Sequence, residues 1–119
     1  NINARTESTY RGDVALSYIA NKVRQGDEDG MVGLTEMDGI TVLQLKQEIN
    51  GSEYVTYIYY RDGKLWELFT DTESGLGVND GYEILECDEV AMSMDGELLS
   101  VSTSGDGGGR IWLSLRSGG

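Results

Sequence analysis

Apolar side chains between residues 14 and 23 recur with the 3.6-residue period of an α-helix. The stripe consists of Val14, Ala15, Leu16, Tyr18, Ile19, Ala20 and Val23. Gly12 costs about 1 kcal/mol relative to alanine inside a helix, but Tyr10 lies four positions before Val14 and extends the same stripe. Gly26 stands where a glycine commonly ends a helix. The pattern therefore predicts an amphipathic helix over about residues 5–25.

Beyond Gly26 the apolar period changes from 3.6 to 2, which is the alternation of half-buried β-strands. Runs rich in β-branched and aromatic residues cover 40–46, 54–61, 64–70, 82–87, 90–94, 98–103 and 110–115. In the last run Ile111 and Leu113 share one face, and Trp112 lies on the other. These alternations predict about five to seven strands between about residues 31 and 116.

The sequences between these runs favour tight hairpins. Asp-Gly occurs six times, and Asn50-Gly51 adds a seventh dipeptide that suits the positive φ angles of type I′ turns. Asp62-Gly63 and Asp95-Gly96 each separate two strand-like runs, and the glycine-rich stretch 105–109 predicts a longer hairpin loop. Residues 1–119 therefore predict one α+β domain, with the amphipathic helix packed across one face of an antiparallel β-meander.

The composition excludes several kinds of chemistry. The chain has no histidine and one cysteine, which removes histidine bases and ligands, disulfides within the chain, and cysteine-rich metal sites. Cys87 stands beside Glu86 and Asp88, so it is expected to be a small core residue and not a nucleophile. Glu83 and Glu97 are a conceivable glycosidase pair, but no spacing favours them over solvent-facing carboxylates. The sequence predicts no catalytic residue and no enzymatic activity.

Charge is distributed unevenly along a chain whose net charge is −12. Residues 1–24 carry a net charge of +2, and residues 27–97 carry −15. The strongly acidic body argues against direct contact with nucleic acid.

Two acidic loops offer the oxygen ligands that Ca²⁺ prefers. The weak candidates are Asp27, Glu28, Asp29, Asp71 and Asp80. Neither loop matches the spacing of an EF-hand, so solvated turns are the favoured interpretation and no cofactor is predicted.

Aromatic side chains are concentrated at Tyr54, Tyr57, Tyr59, Tyr60 and Trp66. Tyr57, Tyr59 and Trp66 are candidates for an exposed face that recognises protein or glycan. The alternative is that these rings cover the second face of the sheet.

The segment Arg11-Gly12-Asp13-Val14-Ala15-Leu16-Ser17-Tyr18-Ile19-Ala20-Asn21-Lys22-Val23-Arg24-Gln25 resembles the helix of the pilin-like superfamily. That superfamily comprises type IV pilins, minor pilins and the pseudopilins of secretion systems, and the Gram-positive minor pilins and competence pseudopilins look most similar. The order of a helix followed by antiparallel strands is similar as well.

The resemblance implies a non-catalytic subunit of a pilus, pseudopilus or competence assembly at the cell envelope. It implies a hydrophobic anchor upstream of Asn1, through which the full-length protein would enter the membrane, and other pilin-like subunits as partners. From the charge asymmetry, Arg11, Lys22 and Arg24 are candidate contacts to the acidic surfaces of neighbouring subunits. The alternative function is an extracellular binding module that uses the aromatic face.

Overall fold

The computed structural model describes residues 2–104 and 109–116, with helix side chains described from residue 14 to residue 28. The elements are α1 (Ile2–Asp29), β1 (Gly30–Met37), β2 (Ile40–Ile49), β3 (Ser52–Arg61), β4 (Lys64–Asp71), β5 (Tyr82–Glu86), β6 (Val90–Asp95), β7 (Leu98–Thr103) and β8 (Arg110–Ser114). Every strand pairs antiparallel with its neighbour in sequence, except that β5 and β6 do not pair. The predicted α+β fold, a helix packed on an antiparallel meander, is confirmed. The described residues form eight strands and not five to seven, because β1 was not among the predicted strand runs.

The strands form two sheets and not the single sheet expected from the sequence. Strands β1 to β5 form a five-stranded sheet, and β6 to β8 form a three-stranded sheet. The helix contacts β1 and β2 of the first sheet and β7 and β8 of the second. The buried helix positions include the adjacent pairs Ala15 with Leu16 and Ile19 with Ala20. One sheet face cannot cover a stripe of that width, so Leu99 and Val101 of β7 close the core from the other side.

The helix is longer than predicted, because Gly26 does not end it. Gly26 is buried within the last turns, and a Cβ atom there would lie 3.0 Å from Leu45 Cδ2 and 3.4 Å from Val32 Cγ2. The glycine therefore permits close approach of the helix to β1 and β2 and is not a helix cap.

Within the described residues, four of the Asp-Gly and Asn-Gly dipeptides lie in hairpins, and in one of these the turn begins one residue later than predicted. Asp38-Gly39, Asn50-Gly51 and Asp62-Gly63 are two-residue turns in which both residues have positive φ, as type I′ requires. At the fourth hairpin Asp95 pairs with Leu98, so Gly96, with φ 62°, is the first turn residue. That geometry is typical of type II′. The predicted hairpin loop at 105–109 lies outside the described residues except for Gly109.

The two sheets meet along one line. Strand β6 contacts β1 and β2 without pairing to them. The strands are therefore arranged around the helix in one series. It runs from β5 to β1 in the first sheet, passes to β6 where the sheets meet, and ends at β8. The outermost strands of this arrangement are β5 and β8.

Candidate functional site

Among the buried polar side chains that the structure describes, the one with the most partners is Glu67, on the helix-facing side of β4. Only 6% of Glu67 is exposed. The Tyr18 hydroxyl donates to Glu67 Oε1, and the Tyr82 hydroxyl donates to Oε2 at 3.0 Å. Lys22 Nζ lies 3.3 Å from Oε1. One carboxylate thus joins two helix residues to β5 across the sheet.

This cluster changes the interpretation of Lys22. We expected Lys22 on the exposed charged face of the helix, together with Arg11 and Arg24. Lys22 instead turns towards the sheet, where it pairs with Glu67 and lies 5.7 Å from the Tyr18 ring centroid. Arg24 is exposed, and the Arg11 side chain lies outside the described residues. Of the three candidates, Arg24 is therefore the one that the structure places on the surface.

Burial and the Glu67 carboxylate both favour the neutral form of Tyr18. Burial, the hydrogen bond to Glu67 and its negative charge together raise the pKa of Tyr18 well above 10. The same hydrogen bond raises the pKa of Tyr82.

Because the pKa of Tyr18 is raised in the native state, the free energy of unfolding should fall at alkaline pH. The unfolded Tyr18 loses its proton near pH 10, while the native hydroxyl keeps it. We expect the stabilisation to be complete below about pH 10 and to be lost as pH rises from there towards the native pKa. In urea unfolding at about pH 9 and about pH 11, Tyr18→Phe should lose less stability than the wild type. Tyr54→Phe, which removes a hydroxyl that does not bond to Glu67, is the control. Equal losses in Tyr18→Phe and wild type would contradict the assignment.

A groove of about 380 Å³ opens beside this cluster, between the end of the helix and the sheet. Its lining includes Lys22, Gln25, Glu67, Phe69 and Tyr82. Phe69 is 47% exposed and Tyr82 is 56% exposed. The Tyr54 ring stacks on Phe69 with centroids 5.5 Å apart and an interplanar angle of 7°. The groove therefore combines exposed aromatic rings with polar groups.

The predicted exposed aromatic face lies on the opposite side of the sheet and is largely covered. Tyr59 is completely buried with Val42 and Val78. Its hydroxyl donates to the Val78 carbonyl at 2.7 Å, and Arg61 Nη1 donates to the same oxygen at 3.0 Å. The segment between β4 and β5 thus folds back over Tyr57 and Trp66, which pack against this small cluster. Of the two alternatives that the sequence left open, Tyr59 follows the one in which the rings cover the second face of the sheet.

Several carboxylates of the acidic loops accept hydrogen bonds from backbone amides. Asp71 accepts from the Glu73 amide at 2.9 Å, and Asp80 accepts from the Gly77 amide at 2.8 Å. Asp27 accepts from the Arg116 amide at 2.9 Å, and Glu28 is exposed at the end of the helix. The Asp29 side chain is not among those that the structure describes. Among the described residues, no three histidine, cysteine or acidic side chains form a group suited to a metal ion.

The remaining chemical candidates lie apart. Glu83 is on β5, where its carboxylate lies 2.6 Å from Lys64 Nζ, whereas Glu97 is in the turn between β6 and β7 of the other sheet. Cys87 is buried, and burial together with the nearby Asp88 charge raises its pKa to about 11. At neutral pH its thiol stays protonated, which makes it a poor nucleophile.

A second groove, of about 710 Å³, separates the helix from β8. It is lined by Leu16, Ser17, Ala20, Asn21, Arg24, Ile111, Trp112 and Leu113. Trp112 is 59% exposed, and the Arg110 guanidinium lies 6.0 Å from its ring centroid. This groove brings Arg24 next to an exposed aromatic residue on an outermost strand.

The described helix lacks the apolar character that a bilayer-spanning segment of its length would need. Residues 10–106 match the family described as a domain of unknown function, DUF4860, and the chain belongs to that family. Neither the curated proteins nor the solved structures contain a significant match.

Proposed function

We propose that this DUF4860 domain is a non-catalytic structural subunit of a pilin-like assembly at the cell surface. The observation that carries the proposal is the length of the helix relative to the sheets. The 28 residues of α1 span about 42 Å, and the buried helix side chains that are described lie between Ala15 and Val23. Residues before Ala15 add about 20 Å of helix on the N-terminal side of the core.

The dimensions of the molecule support a projecting helix. The longest dimension is 53 Å, whereas the ten-residue strands β2 and β3 span about 33 Å. A helix that extends from a globular domain is the arrangement expected of a subunit that assembles through its helix, and the resemblance over residues 11–25 implies the same.

The test is the state of the full-length protein in its own cells. We expect the reading frame upstream of Asn1 to encode about 20 apolar residues that continue the helix. We expect the protein to be recovered as a high-molecular-weight assembly when surface fibres are sheared from cells. A frame that encodes no apolar segment, together with recovery only as a monomer, would contradict the proposal.

Within such an assembly, Arg24→Glu should reduce the assembled fraction at least about tenfold, because reversal places like charges against an acidic neighbour. The melting temperature should stay unchanged, since Arg24 is exposed. Lys46→Glu is the matched control, because it changes an exposed cation on β2 by the same two charges. An equal loss of assembly in both variants would assign the effect to net charge and would contradict a specific contact at Arg24.

A second candidate function is a binding module, and the exposed rings of Phe69 and Tyr82 beside the 380 Å³ groove favour it. Phe69→Ser should weaken binding to a neutral oligosaccharide or a peptide ligand about tenfold, as loss of a central aromatic contact does. Leu76→Ser removes a similarly exposed apolar side chain elsewhere and should leave binding unchanged. Unaltered affinity in Phe69→Ser would exclude this surface.

A further inference from the structure

The outermost strands of the two sheets expose unpaired backbone edges. Strand β5 pairs with β4 alone, and β8 pairs with β7 alone, within the described residues. The other two terminal strands, β1 and β6, lie against one another. Each of the two open edges is five residues long, and the chain contains no proline that would block strand addition.

The two edges carry opposite charge. Strand β5 and the turn that follows it contain Glu83, Glu86, Asp88 and Glu89, and Lys64 of β4 is the cation beside them. Strand β8 carries the exposed Arg110 and is followed by Arg116, while Arg24 lies across the adjoining groove. Basic side chains therefore gather at one edge of a chain whose net charge is −12.

The groove beside β8 leaves space for another strand. On the helix side its lining includes the small residues Ser17, Ala20 and Asn21. On the strand side Trp112 is 59% exposed. Tryptophan side chains, which are large and apolar, are usually largely buried. An extended segment that paired with β8 would cover part of this ring and would meet Arg24 and Arg110 at its sides.

We propose that β8 of one copy pairs with β5 of a second copy, so that the sheets of successive subunits join edge to edge. Charge complementarity and the equal lengths of the two edges identify the occupant as a second copy of this chain. Antiparallel pairing that opposes Arg110 to Glu86 also opposes Trp112 to Ile84 and Ser114 to Tyr82. This register opposes one pair of opposite charges, Arg110 and Glu86. The pairing of β5 with β4 shifts between Leu85 and Glu83, so Ile84 lies at a bulge and Glu86 and Tyr82 face opposite sides of the sheet.

The contact joins two different surfaces, since the edges lie at opposite ends of the arrangement of strands. Such a heterologous contact leaves a free β5 and a free β8 at the two ends of every oligomer and therefore propagates into a filament unless the rotation closes a ring. The inference deepens the proposed function by naming a contact between globular domains. It rests on that function only in placing the contact within a surface assembly, since the occupant is argued from the two edges themselves.

The test is a charge exchange between two variants of the 119-residue chain, followed by sedimentation velocity up to about millimolar concentration. The wild type should self-associate, and higher salt should weaken the association because the paired charges are exposed. Arg110→Glu and Glu86→Arg should each weaken self-association at least about tenfold. An equimolar mixture should restore it, because each variant then offers the edge that complements the other.

Matched controls are Lys46→Glu and Glu48→Arg, which make the same charge changes at exposed positions of β2 and should associate as the wild type does. Trp112→Glu, which places an acid at the centre of the β8 edge against the acidic β5 edge, should also prevent association. Circular dichroism verifies that each variant is folded. A wild type that stays monomeric, single variants that associate normally, or a mixture that fails to associate would each overturn the proposal.

These failures are distinct from failure of the proposed function. If the edge variants have no effect but sheared surface fibres still contain the protein, only edge pairing is wrong. If no surface assembly exists while the isolated chain still associates through the two edges, the pilin-like function is wrong and the contact remains.

Discussion

Glu67→Ala should lower the free energy of unfolding by about 3 kcal/mol, because it removes the acceptor shared by three side chains. Tyr18 is partly buried against the helix and sheet, so its hydroxyl loses a partner that water replaces poorly. The Lys22 side chain is 33% exposed and Tyr82 is 56% exposed, so both recover part of the loss by hydration. The expected cost is therefore at the lower end of the range for a broken buried pair.

Urea denaturation at neutral pH measures this cost. Glu67→Gln keeps the shape and one carbonyl acceptor but removes the charge, and we expect about half of the alanine effect. Glu48→Ala removes an exposed carboxylate from β2 and should change stability by no more than about 0.5 kcal/mol. A cost for Glu67→Ala as small as that of Glu48→Ala would show that the cluster does not hold the helix to the sheet.

Gly30→Ala should destabilise the domain by about 3 kcal/mol or prevent folding. A Cβ atom at residue 30 would lie 1.8 Å from the Lys46 carbonyl oxygen and 3.1 Å from Gln47 Cα. Because these are backbone atoms, no rotamer change relieves the clash, and the start of β1 must separate from β2. The junction between the helix and the first strand would then lose its pairing of Gly30 with Gln47.

Gly33→Ala is the internal control for this prediction. It lies in the same strand, and a Cβ atom there meets nothing within 4 Å. Since alanine restricts the unfolded chain more than glycine does, Gly33→Ala should be neutral or should stabilise by up to about 1 kcal/mol. Thermal unfolding of the two variants side by side distinguishes steric exclusion at residue 30 from a general need for glycine in β1.

Local pattern predicted most of the elements. The helix stripe, the seven strand runs and the Asp-Gly hairpins follow from period and turn chemistry, which act over a few residues. The role of Gly26 did not follow, because the close approach of Leu45 is a tertiary contact that no local pattern encodes. The second sheet was missed for the same reason, since strands on either side of a change of sheet alternate identically.

The alternation of faces along β4 already indicated that Glu67 points towards the core. Leu65 and Phe69 share one face of their strand, and Glu67 lies between them on that face. An acid at an inward position needs a partner. Tyr18 was available on the helix stripe, and Lys22 follows it by one helical turn. The covering of Tyr59 by Val78 had no such signal, because Leu76 and Val78 both lie within a polar, glycine-containing loop, and the sequence does not indicate which of them is buried.

The sequential order of the meander has a kinetic consequence. Each strand of the five-stranded sheet finds its partner across a short connection, so little loop entropy is lost before a contact forms. The chain also lacks proline, whose isomerisation commonly slows refolding. Such a domain can fold hairpin by hairpin during synthesis. Folding can begin before the C-terminal residues have been made.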